Sequence, residues 1–173
     1  MNFHDSKFQI QNSKLKMELT IKSEEVIADL RSAGWLEQEL HPELDRHRRH
    51  QMADICEPDS VERVWRVLGA AVAEVRMALL KVLRPQETLR PVNGLERPEE
   101  WTFSLAVTLR ADAVALFKEK IHEYLVASVM ADRCAVIIPD ARAVWRIRAE
   151  EAMASLQEAS LPVGRARRPM WPM

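Results

Sequence analysis

Glycine is scarce in this chain, with four among 173 residues, and cysteine is scarcer still, with two. Long stretches free of both glycine and proline argue for helices and against a sheet-rich fold. Cys56 and Cys134 lie too far apart in sequence to form a disulfide framework and read as two reduced thiols. The N-terminal residues include Asp5, Gln9 and Gln11 and lack the apolar core of a signal peptide, so a cytoplasmic location is expected. No apolar run approaches the ~20 residues of a membrane span. Neither sign of charge is in excess: the net charge of −1 gives no bulk attraction to nucleic acid or membrane. Internal repeats are also missing. A hydrophobic fraction of 47% with 29% charged residues remains, enough for one water-facing domain with a real core.

Arginine is absent from residues 1–22, which hold four of the seven lysines, whereas the remainder holds all 18 arginines. Two readings of this shift stand: residues 1–16 are a flexible arm, or translation begins at Met17.

Two segments alternate with a period of two. Trp101, Phe103, Leu105, Val107 and Leu109 fall on one face, and Thr102, Ser104, Ala106 and Thr108 on the other. In the second segment, Leu15, Met17, Leu19 and Ile21 alternate with Lys16, Glu18, Thr20 and Lys22. Both read as half-buried strands, over 101–109 and 15–22. A strand cannot satisfy its backbone alone, so each needs a mate in this chain or in a neighbouring copy.

The rest reads as helix. Ser23 caps a short first helix with Glu24 and Glu25 in its first turn and Gly34 just past its end. Pro42 opens a second, poorly apolar helix through about Ile55, on which Leu44, Met52 and Ile55 form a narrow stripe. Asp59 and Glu62 have capping-box spacing. Val61, Trp65, Leu68, Val72, Val75, Leu79 and Val82 then follow at spacings of 4, 3, 4, 3, 4 and 3. With Val64, Ala71, Ala78, Leu80 and Leu83 the apolar sector is wide, which suits a central bundle helix better than a two-stranded seam.

Pro85, Pro91, Gly94 and Pro98 make 84–100 a long exposed loop. A fourth helix runs from Asp112 to about Val136, with Leu116, Phe117, Ile121, Tyr124, Leu125, Ser128 and Val129 inward. After a break at Pro139 and Asp140, a fifth places Trp145, Ala149, Ala152 and Leu156 on one face. The expected fold is mainly α: a bundle of about five helices with one or two short strands and extended N- and C-terminal arms. Residues 17–160 form the single domain.

No cluster amounts to an active site, and no cofactor is expected. His41, His47, His50 and Cys56 could tempt a zinc ion, but no paired Cys-x-x-Cys accompanies them, and solvated histidines are the simpler reading. A Cys56 nucleophile with His50 as base lacks an orienting acid and an oxyanion hole. Arg46-His47-Arg48-Arg49-His50 resembles a phosphate-tracking stripe. Across residues 41–57, however, three arginines face Glu43, Asp45, Asp54 and Glu57, so charge pairing is expected instead. Arg142, Arg146 and Arg148, with Glu150 and Glu151, read as a solvated or intersubunit face.

Residues 161–173, Leu-Pro-Val-Gly-Arg-Ala-Arg-Arg-Pro-Met-Trp-Pro-Met, carry three arginines, no acid and three prolines, and cannot form a helix. Two readings stand: a disordered end, or a docking peptide with Trp171 as anchor and Arg165, Arg167 and Arg168 steering it. Trp101, Phe103 and Leu105 on the strand are the other expected partner contacts.

Ile121-His-Glu-Tyr-Leu-Val-Ala-Ser-Val-Met-Ala-Asp-Arg133, the Pro139-Asp140 break and Val144-Trp-Arg-Ile-Arg-Ala-Glu-Glu-Ala-Met-Ala-Ser-Leu156 together resemble the head–tail connector (adaptor) family of tailed phages and prophages. Lys22-Ser-Glu-Glu-Val-Ile-Ala-Asp-Leu30 is similar to the short first helix of that family. The likeness covers residues 22–159 in outline. It implies a small helical virion protein without catalysis, whose copies form a ring between portal and tail and line the DNA channel. Its partners would be its own copies and portal or tail proteins, with no membrane, no small-molecule substrate and no sequence-specific nucleic acid. Two other classes remain consistent with the residues. One is a small DNA-binding regulator of a prophage or mobile element using the Arg46–His50 helix; the other is a cellular adaptor protein using Trp171 or the Pro-rich loop.

Overall fold

A computed structural model describes residues 17–56, 58–83, 97–105 and 111–160. Its elements run β1 (Met17–Lys22), α1 (Ser23–Leu40), α2 (Arg46–Ala53), α3 (Pro58–Ala78), β2 (Glu100–Leu105), α4 (Ala111–Ile137) and α5 (Pro139–Ala159). The protein is thus a mainly α bundle with a two-stranded sheet, as the periodicities predict. The expected arm at 1–16, most of the loop at 84–100, the strand residues 106–109 and the segment 161–173 lie outside the described residues.

The two strands find each other. β1 pairs antiparallel with β2 in a register that sets Leu19 opposite Phe103 and Ile21 opposite Trp101. One face of this ribbon therefore carries Leu19, Ile21, Trp101, Phe103 and Leu105, all buried in the common core. Leu83, just beyond α3, adds an isolated antiparallel bridge to Leu105. Ser23 does not cap its own helix; its backbone N–H and hydroxyl both donate to the Glu99 carbonyl, at 2.9 and 2.8 Å, and close the ribbon's end.

α4 is the axis of the bundle, and bonds at several levels fix its neighbours. Arg63 on α3 grips Asp132 through two parallel bonds of 2.7 and 2.9 Å. Tyr124 on α4 donates its hydroxyl to Glu74 on α3. As α3 numbers rise the α4 numbers fall, so these helices are antiparallel. α1 runs parallel to α4: Asp29 meets His122 at 2.7 Å, and further along Glu37 lies close enough to Cys134 to act on its thiol. α5 returns along α4 after the turn at Ile138, where Pro139 occupies its first turn. Phe117, Ile121, Leu125, Val129 and Met130 of α4 are buried, as are Trp145, Ala149, Ala152 and Leu156 of α5.

Three local expectations give way. α1 does not stop at Gly34 but continues to Leu40. Gly34 is a point of close approach, since a β-carbon there would stand 2.4 Å from the Met52 carbonyl oxygen. The second helix starts not at Pro42 but at Arg46, after Asp45, whose carboxylate accepts from the Arg48 N–H at 2.9 Å. Leu116, expected inward, is exposed because it precedes the first buried turn of α4 at Phe117.

Candidate assembly surfaces

The polar residues singled out in the sequence are mostly engaged with one another. His41 sits between two carboxylates, with Nδ1 2.7 Å from Glu43 and Nε2 3.5 Å from Glu37. A backbone hydrogen bond, helped by the His41 contact, holds the Glu43 carboxyl below its usual range. The other oxygen of the buried Glu37 accepts from the Trp145 indole N–H at 2.7 Å, so α5 is pinned to the end of α1. His47 meets Gln51 at 3.1 Å, and His50 meets Asp54 at 2.8 Å. Among the described residues no group of three or more His, Cys, Asp or Glu could hold a metal ion.

Both thiols are held protonated. Burial pushes Cys134 up to about 12 and also raises Cys56, where the nearby Arg31 opposes the shift. The basic stripe of α2 is largely answered in the chain: Arg48 pairs with Asp45 and Arg49 with Glu39, both at 3.6 Å. On α5, Arg146 pairs with Glu150 at 2.9 Å, and Arg148 lies over the Trp145 ring, 4.7 Å from its centroid.

Trp101, Phe103 and Leu105, expected as partner contacts, are buried within the chain itself. Intrachain pairing turns their side chains into the core, where Trp101 meets Trp65 at 6.0 Å and Arg76 lies 5.7 Å from the Phe103 ring centroid. Strand periodicity identifies a buried face without saying which chain buries it. Arg165, Arg167, Arg168 and Trp171 lie outside the described residues.

Among the described residues, the exposed large apolar side chains are divided between the two ends. Trp35, Leu36 and Leu40 on α1, Val136 on α4, and Val144 and Ile147 on α5 are all exposed. The Glu37–Trp145 bond brings these stretches to the end of the bundle that holds the α4–α5 turn. Met77 and Leu80, following Glu74 on α3, and Leu116 at the start of α4 are exposed at the opposite end. Leu116 and Val136 stand twenty residues apart on one helix, about 30 Å. The end at α1 was hidden in the sequence because Gly34 read as a stop; the spacing of Ala33, Leu36 and Leu40 was the available signal.

Two grooves run along α4. The first, about 650 Å³, lies between α1 and α5 and is lined by Asp29, His122, Val126, Ala127, Trp145 and Arg148 among others. Its charges are largely met locally, by the Asp29–His122 pair and by Lys120 2.6 Å from Glu123. The second lies between α3 and α5. No helix among the described residues is long and apolar enough to cross a membrane. No known protein family, curated protein or solved structure matches this chain.

Proposed function

We propose that this chain is a non-catalytic assembly subunit, a head–tail connector of the tailed-phage type. Its copies form a ring that joins portal to tail and lines the DNA channel. One observation carries the reading: the exposed large apolar side chains stand at opposite ends of the bundle, about 30 Å apart. Apolar surface left in water is a favoured place for a protein contact, and two separate patches serve a subunit with different neighbours at each end. The near-zero net charge suits a channel wall that DNA passes without sticking. Such a protein works in the host cytoplasm and ends in the virion.

The test is negative-stain imaging of the purified chain alone and mixed with portal protein. Rings, or density added to portal, support the reading. A chain that stays monomeric and unbound at every concentration overturns it. Binding to duplex DNA that falls steeply with salt would point instead to the regulator that uses Arg46–His50.

A further inference from the structure

We propose that the outer face of α5 binds a second copy of this chain, whose own α5 lies against it in the opposite direction. The contact is two-fold, with the same patch on both copies. It deepens the assembly reading, on which it rests in taking exposed apolar side chains as contacts, and names the neighbour of Val144 and Ile147. Ala141, Trp145, Ala149, Ala152 and Leu156 form the buried side of α5. The side opposite carries Ala143, Ile147 and Ala154, all exposed. The two alanines let a second helix approach closely, and Ile147 of one copy packs into the space over Ala154 of the other.

Charge selects the occupant and its direction. The first half of α5, 139–148, carries Arg142, Arg146 and Arg148 against Asp140 alone. The second half, 149–159, carries Glu150, Glu151 and Glu158 and no basic residue. Cations near the start of a helix and anions near its end oppose the helix dipole, so α5 by itself gains nothing from this order. The chain answers it only in part. Arg146 bonds Glu150, Arg148 lies over the Trp145 ring, and Glu151 acts on Lys120 of α4. Among the described residues, Arg142, Arg148 and Glu158 form no ion pair.

A second α5 laid antiparallel, centred between Arg148 and Glu151, sets Arg148 of each copy across from Glu151 of the other. Both basic halves then meet acidic halves. A parallel partner would set Arg148 on Arg148 and Glu151 on Glu151, which repels. α5 is about 30 Å long, and a single helix-to-helix seam of that length buries less than the about 800 Å² per copy of a stable complex. The pair is therefore reversible, with a dissociation constant on the order of 10–100 μM. It is a form of the free chain and leaves Met77 and Leu80, at the other end, to a different protein.

Sedimentation of the full chain between about 1 and about 500 μM tests this. The unaltered chain should pass from one copy to two, and about 0.5 M salt should weaken the pair roughly threefold or more. Arg148→Glu and Glu151→Arg, as separate variants, should each weaken it at least tenfold, because each sets like charges across the seam twice. Both side chains are exposed, so the fold is spared. Mixed one to one, the two variants should pair with each other within threefold of the unaltered affinity, since both opposite-charge contacts return. A chain that stays single at every concentration overturns the proposal, as does pairing that neither variant weakens or a mixture that does not recover. A single-copy chain whose portal binding is lost in Arg148→Glu would give this face to portal protein instead. Portal binding is read separately. A failed pair with portal binding intact sinks this proposal alone, whereas a sound pair without rings or portal binding sinks the connector reading alone.

Discussion

Gly34 shows how much one missing side chain can decide. Alanine is the better helix former by about 1 kcal/mol, so on propensity alone Gly34→Ala would stabilise α1. Its β-carbon, however, would meet the Met52 carbonyl oxygen at 2.4 Å, and a backbone oxygen cannot swing aside as a side chain does. Overpacking of this kind costs about 1–3 kcal/mol, so the net effect is destabilisation by up to about 2 kcal/mol, read as a lower urea midpoint with an unchanged slope.

The buried titratable groups make a second prediction at this scale. Burial, reinforced by the bond to Glu74, pushes Tyr124 up to about 12, and Cys134 also rises to about 12. In the unfolded chain they lose their protons near 10 and 9, while the folded chain retains them. The stability that each contributes is therefore complete below its unfolded value and drains away as pH climbs towards 12. The decline reaches at most about 1.4 kcal/mol per pH unit for each group. Thermal melts between pH 7 and 11 should show Tm falling from about pH 9, and Cys134→Ala should make the fall between pH 9 and 10 shallower without abolishing it, because Cys56 is raised as well. A Tm that is flat to pH 11 would contradict this.

Elements differ in how plainly the sequence announces them. α5 is legible because Trp145, Ala149, Ala152 and Leu156 repeat with the helical period and all four are buried. The strand pair is legible for the same reason, and only its mate is left open. α1 and α2 were misread because local punctuation misled. Gly34 looks like a stop and Pro42 like a start, yet close packing explains the first, and the second sits in the turn before Asp45. Glu37 could not be foreseen, because its burial depends on Trp145, 108 positions away.

The capped and packed elements should respond in proportion to what they lose. Asp45→Ala removes the acceptor for the Arg48 N–H and costs about 1 kcal/mol. Phe103→Ala empties a fully buried site on the ribbon and costs about 3–5 kcal/mol. Urea unfolding of the two variants should separate them clearly. Equal effects would mean that the ribbon is not part of the cooperative core.

At the scale of the whole molecule, the two apolar ends should act independently. Leu40→Glu with Val136→Glu charges one end, and Met77→Glu with Leu80→Glu the other. All four side chains are exposed, so each pair should leave stability within about 1 kcal/mol of the unaltered chain. In the ring reading, each pair should remove one contact and spare the other, which sedimentation with and without portal protein would show. Identical behaviour of both pairs, or none at all, would argue against two distinct surfaces. None of this division was legible in the sequence, because which ends of α1, α3, α4 and α5 coincide depends on tertiary pairing.

The ribbon also orders events in time. β1 emerges from the ribosome 78 residues before β2 begins, an interval of roughly 4–16 s at ordinary synthesis rates. The α4–α5 hairpin, by contrast, closes between consecutive helices and needs no distant mate. The earliest strand made is thus among the last to be sheltered. During synthesis Leu19 and Ile21 wait uncovered, which makes that short stretch the natural target of a holding chaperone on a nascent chain.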